Sequence, residues 1–81
     1  MNESRGLFVE LDKEAEFAEA EEIAPGVMAE LDAEGKPVAV EIADVENVDL
    51  DVVSRALMSL SLSEAAVRTV IEAVEHARKK R

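Results

Sequence analysis

A chain of 81 residues without cysteine is one small domain that buries only about 60% of its unfolded surface. Disulfides and thiolate metal sites are unavailable to reinforce it. Its net charge of −10 argues against nucleic acid and anionic membrane as direct partners. No run reaches the roughly 20 apolar residues of a membrane helix. No long apolar stretch follows residues 1–5 to make a signal peptide, so a soluble, cytoplasmic protein is expected.

The charge is unevenly placed. Residues 1–51 hold 16 acids and 3 bases, a balance of −13, whereas residues 52–81 hold 3 acids and 6 bases, a balance of +3. Carboxylates in this number keep a small protein in solution, and they also steer it toward a basic partner. Apolar residues make up 48% of the chain but aromatic ones only 2%. The core must therefore be built from Val, Leu, Ile and Ala.

In chain order, Gly6 to Leu11 alternates, with Leu7, Val9 and Leu11 on one face and Phe8 and Glu10 on the other, which predicts a strand over 6–11. Residues 12–22 admit two readings. Their Ala and Glu density favours a helix. With period two, Phe17, Glu19, Glu21 and Ile23 share one face and Ala18 and Ala20 the other. Pro25 ends either element, because the residue before a proline is pushed out of the helical region.

Residues 26–43 predict a hairpin. Val27, Ala29 and Leu31 alternate with Met28 and Glu30, and Val38, Val40 and Ile42 alternate with Ala39, Glu41 and Ala43. Between them, Asp32-Ala33-Glu34-Gly35 offers an Asp to open a type I turn and a Gly to take the positive φ that follows. Pro37 falls at the start of the return strand, where a missing N–H is tolerated. The aliphatic face must be covered. The mixed face meets water or another subunit.

The period changes after residue 47. Asn47 and Asp49 are candidate caps for a helix over roughly 50–60, whose stripe is Leu50, Val53, Leu57 and Leu60. Ser61 and Glu64 have capping-box spacing, and a second helix to about residue 79 carries the stripe Val67, Val70, Ile71 and Val74. The basic run Arg78–Arg81 complements the negative end of that helix. The expected fold is α+β: a small antiparallel sheet of 3–4 strands over about residues 6–45, with two C-terminal helices over about 49–79 packed on one face.

Several segments resemble the small bacterial family known as Domain of Unknown Function 2283. They are the strand Leu7–Leu11, the acidic stretch Glu19–Glu22, Pro25-Gly26-Val27, the turn Asp32–Gly35 and the strand Val38–Ile42. The resemblance covers about residues 7–45 and favours strand over 16–23. The family that this chain resembles has no assigned enzymatic activity. Some members sit beside genes for small RelE-like ribonuclease toxins, which implies an antitoxin role for part of the family. This chain lacks the Tyr and Asp usual around the first strand and the aromatic usual in the third. Its helical tail extends past the usual end.

Residues suited to chemistry are few. His76 is the only histidine and lies four residues from Glu72 on a helix face, and without a second His or a Cys no ordinary zinc site can be built. Two carboxylate groups, Asp12, Glu14 and Glu16, and Asp44, Glu46 and Asp49, have spacing loose enough only for a weakly held cation. Ser54, Ser59, Ser61, Ser63 and Thr69 lack the histidine partner a nucleophile needs. Neither a calcium loop nor a phosphate-cradling glycine loop is present. The helix pair faintly resembles a helix-turn-helix, but its second helix opens Leu62-Ser63-Glu64-Ala65-Ala66, without the basic residues that recognition requires.

The expected function is therefore non-catalytic, with no cofactor and no metal. It is a protein-binding or oligomerising module, antitoxin-like, that blocks a basic partner such as a RelE-like ribonuclease toxin. Candidate partner contacts are Glu19, Glu21 and Glu22 with the last-helix residues Val67, Val70, Ile71 and Val74. The alternative is a self-associating structural protein, a homodimer or higher, with no dedicated ligand.

Overall fold

The computed structural model describes residues 5–80. Strands β1 (Leu7–Glu10), β2 (Glu19–Ala24), β3 (Val27–Leu31) and β4 (Pro37–Ile42) precede helices α1 (Leu50–Met58) and α2 (Glu64–Lys79). The strands form one antiparallel sheet in the order β1-β4-β3-β2. Strands β2, β3 and β4 are a meander, and β1 is added on the far side of β4. This is the α+β arrangement expected from the sequence.

The ambiguous segment divides in two. Residues 19–24 become β2, while 11–18 cross the end of the sheet from one edge to the other. The crossing is tied down by backbone bonds: Leu11 and Asp12 N–H donate to the Val38 carbonyl (2.9 and 3.2 Å), and Ala18 N–H donates to that of Leu31 (2.8 Å). The Asp12 carboxylate closes a turn by accepting from Glu14 N–H at 3.0 Å. Local propensity favoured a helix here, but a helix needs an apolar stripe to bury. Past Leu11, which packs at the core's edge, the one large apolar side chain in the crossing is Phe17, and it is 58% exposed.

Both hairpin turns follow from their residues. Ala24 pairs with Val27 across Pro25-Gly26, with Gly26 at φ +76°; Pro fixes the first turn position and Gly supplies the second. A bulge between Glu22 and Ala24 turns both Ile23 and Ala24 onto the core. In the second turn the Asp32 carboxylate accepts from Glu34 N–H (2.9 Å) and Lys36 N–H (2.8 Å), and Gly35 takes φ +83°.

The helices cover one face of the sheet. Helix α1 lies against β2, and α2 lies against β1. Val9, Val27, Val40 and Ile42 from the sheet meet Val53 and Leu57 of α1, Val67, Val70 and Val74 of α2, and Val45 of the junction. Among the described residues no polar or charged side chain is buried. Each fully buried aliphatic side chain contributes about 1.5–3 kcal/mol relative to exposure. Among the described residues, the large apolar side chains left exposed are Phe8, Phe17, Val52 and Met58.

The helix starts are capped as the residue types require, with one correction. Asp49 caps α1, its carboxylate accepting from Asp51 N–H at 2.9 Å and Val52 N–H at 3.4 Å. The second candidate, Asn47, instead donates its side-chain amide to Asp44 at 2.8 Å. Helix α2 is capped by Ser63, which accepts from Ala66 N–H at 3.1 Å, and not by Ser61. Helix α1 closes with an extra turn in which Leu60 N–H donates to Leu57 O and Ser61 N–H to Met58 O, both at 3.0 Å. That turn forces Ser61 to φ +65°, the left-handed region, and moves the start of α2 two residues on.

Arg78 ties the last helix back to the junction. Its Nε donates to the Val45 carbonyl (2.5 Å) and its Nη2 to the Val48 carbonyl (2.6 Å). It is half-buried, so Arg78 is a structural tether and not part of a free basic tail. Arg81 lies outside the described residues. Among the described residues no helix is long and apolar enough to cross a membrane.

The two edges of the sheet differ. Edge strand β1 reads Leu-Phe-Val-Glu, whereas edge strand β2 carries Glu19, Glu21 and Glu22 and is bent by the bulge at its end.

Candidate functional site

Strand alternation and register place every second side chain on the face that the helices leave open. Two cross-strand rows result. The first runs Phe8, Glu41, Met28, Glu22 across β1, β4, β3 and β2, and the second runs Glu10, Ala39, Glu30, Ala20 in the same order. Four glutamates stand on this face with no Lys or Arg beside them in either row. Among the described residues, none of the four has an ion-pair partner; the pair present, Arg55 to Asp51 at 3.4 Å, is on α1 and largely exposed on both sides.

Apolar surface accompanies the charge. Phe8 is 51% exposed and Met28 is half-buried. Ala39, although on this face, is only 2% exposed because it lies between the stems of Glu10 and Glu30. A shallow depression of about 420 Å³ is lined by Gly6, Leu7, Phe8, Met28, Glu41, Ile42 and Ala43. Chemically, the face offers carboxylate acceptors beside an aromatic ring and a thioether. That combination suits a cationic ligand.

The residues proposed from sequence are distributed differently. Glu19 and Glu21 pair with Leu31 and Ala29, whose side chains are buried under the helices, so they stand at the β2 rim on the helix side. Only Glu22 shares the open face. Val67, Val70 and Val74 are buried in the molecule's own core and Ile71 is half-buried against it. These four side chains pack α2 onto the sheet.

Sequence reading assigned Phe8 and Glu10 to one face of β1, Met28 and Glu30 to one face of β3, and Glu41 to the outer face of β4. What it lacked was the register that sets these residues side by side.

Other chemistry-bearing groups have local roles. Asp44 accepts from Glu46 N–H at 2.9 Å and from the Asn47 amide, and the Asn47 bond is the main cause of a carboxyl pKa below the usual aspartate value. Partial desolvation opposes that shift, and backbone N–H bonds from Glu46 and Asn47 and the charge of Arg5 reinforce it. Asp12, Asp32 and Asp49 likewise bond to backbone N–H groups of their own turns. Among the described residues, no three His, Asp or Glu side chains are grouped closely enough to hold a metal ion. His76 is exposed on α2.

No curated protein and no solved structure matches this chain significantly. A family model, described as a protein of unknown function (DUF2283), matches residues 7–45. The match opens at the first residue of β1, includes all four strands and both hairpin turns, and closes at Val45, where Arg78 attaches α2. The four-stranded sheet, residues 7–45 of the 81, is thus assigned to the DUF2283 family.

Proposed function

We propose that this chain is a small, non-catalytic binding module that holds a basic protein partner on the open face of its sheet. The partner class is a small RelE-like ribonuclease toxin, whose cationic RNA groove the face would occupy as an antitoxin does, in the cytoplasm. One observation carries the reading: Glu10, Glu22, Glu30 and Glu41 share the face that the helices leave open, and among the described residues no Lys or Arg stands beside them in their cross-strand rows.

Like charges on next-nearest strands, about 10 Å apart, repel by roughly 0.4 kcal/mol per pair in water. A cationic surface relieves that repulsion and adds attraction, which raises association rate and specificity. A half-exposed Phe8 beside the charges supplies apolar contact. Stacking two copies face to face would instead bring eight carboxylates together, four from each.

The test is calorimetric titration against a purified RelE-like toxin at low and high salt. The expected result is a complex that weakens with salt and is lost when Glu10, Glu22, Glu30 and Glu41 are all changed to Gln. Absence of binding, or binding indifferent to those changes, refutes the reading.

Self-association is the second reading, favoured by the nearly uncharged outer edge of β1. Two copies paired there would extend the sheet sideways and keep their acidic faces apart. Light scattering at micromolar protein decides it: a dimer supports this reading, and a monomer removes it.

A further inference from the structure

The register of the first row suggests more than general acidity. Glu41 on central β4 stands directly between Phe8 on β1 and Met28 on β3. Phe8 and Met28 are two strands apart, about 10 Å at the backbone, and the depression they flank has Glu41 in its lining. Glu41 is exposed and, among the described residues, has no ion-pair partner.

We propose that this slot receives an arginine side chain of the protein partner. The inference rests on the basic-partner reading above and deepens it. A guanidinium is a flat plate with a fork of donors. One face of the plate can stack on the Phe8 ring as a cation–π contact. Its other face meets the Met28 thioether, which is soft and adaptable. Its edge donates two N–H bonds to the Glu41 carboxylate.

A lysine ammonium can form the ion pair but has no plate to lie between the two walls. Arginine is therefore preferred over lysine at this position. Glu10 and Glu30, two residues along their strands on the same face, would take neighbouring basic groups of the same partner with less regard to their shape.

The measurement is an NMR titration with N-acetylarginine amide, and with N-acetyllysine amide at matched ionic strength. The probes are the Met28 methyl and Phe8 ring resonances, with the exposed Met58 methyl on α1 as an internal reference. Met28 and Phe8 should move with the arginine compound and much less with the lysine compound, and Met58 should not move. Glu41→Gln should weaken the arginine affinity by about fivefold to tenfold, and Phe8→Leu by about threefold.

Both positions are exposed, so the variants should keep the wild-type circular dichroism spectrum, which is checked first. Equal shifts with both compounds, shifts unchanged by Glu41→Gln, or no shift at Met28 would overturn the proposal. The toxin titration remains separate. A toxin that still binds Glu41→Gln at full strength, but not the fourfold Gln variant, keeps the basic-partner reading and rejects the arginine slot.

Discussion

Replacing Arg78 with methionine tests whether the tether between α2 and the end of the sheet carries stability. The methionine keeps much of the apolar stem and removes both bonds, to Val45 O at 2.5 Å and Val48 O at 2.6 Å. A hydrogen bond to a charged group contributes about 1.5–3 kcal/mol. Arg78 is half-buried and Val48 is partly exposed, whereas Val45 is 3% exposed and its carbonyl would be left without a ready substitute. The expected loss is about 2–3 kcal/mol in total. A domain of this size has only about 4–12 kcal/mol to lose, so Tm should fall by roughly 10–20 °C.

With no Trp or Tyr in the chain, intrinsic fluorescence is of little use, and urea unfolding is best followed by far-ultraviolet circular dichroism. The midpoint should drop with little change in m, since the surface exposed on unfolding is nearly the same. Arg78→Lys, which keeps the charge but cannot span both carbonyls, should lose about half as much. Lys79→Met, at an exposed position in the same turn, should cost less than about 0.5 kcal/mol. If Arg78→Met is no worse than Lys79→Met, the tether contributes nothing and the reasoning fails.

Ser61→Gly should stabilise the protein by about 0.5–1 kcal/mol, because a left-handed φ of +65° strains a residue with a Cβ and glycine adopts it freely; an unchanged or lower urea midpoint would contradict this. Asn47→Ala should raise the Asp44 pKa toward the ordinary aspartate value, read from its carboxyl carbon resonance during an acid titration. The folded value in the wild type is depressed, so Asp44 contributes stability above the ordinary aspartate pKa, and this is lost as pH falls through the depressed value. The two proteins should therefore differ in stability at neutral pH and converge in strong acid. Divergence in acid would have the wrong sign.

Legibility in the sequence followed the range of the interaction. The strands of the second hairpin, its Asp32–Gly35 turn and both helices were readable because alternation, turn chemistry and helical period act within a few residues. Residues 12–22 were not, because their outcome rests on Leu31 and Val38, far along the chain, accepting their backbone N–H groups.

The cap of α2 was misplaced by two residues. Ser61 and Ser63 are the same residue type, and packing of α1 decided where its last turn closed. The bonds of Arg78 span 33 and 30 residues, so nothing in the terminal basic run distinguishes it from Lys79 or Lys80. The candidate site was half legible. The outward faces of the individual strands were correct, but the register that groups Phe8, Glu41 and Met28 exists only in the folded sheet.

The unlike edges of the sheet bear on how large any assembly can grow. Fibre growth by strand addition requires each molecule to offer two receptive sides, one for the unit before it and one for the unit after. Strand β2 has carboxylates at Glu19, Glu21 and Glu22 and a bulge near its end, features that discourage a neighbouring chain from docking. Of the two edge strands, β1 lacks these features among the described residues, so addition of units by strand pairing would terminate after a single event. In a chain so rich in alternating aliphatic residues, a few charges at one border thereby oppose open-ended aggregation.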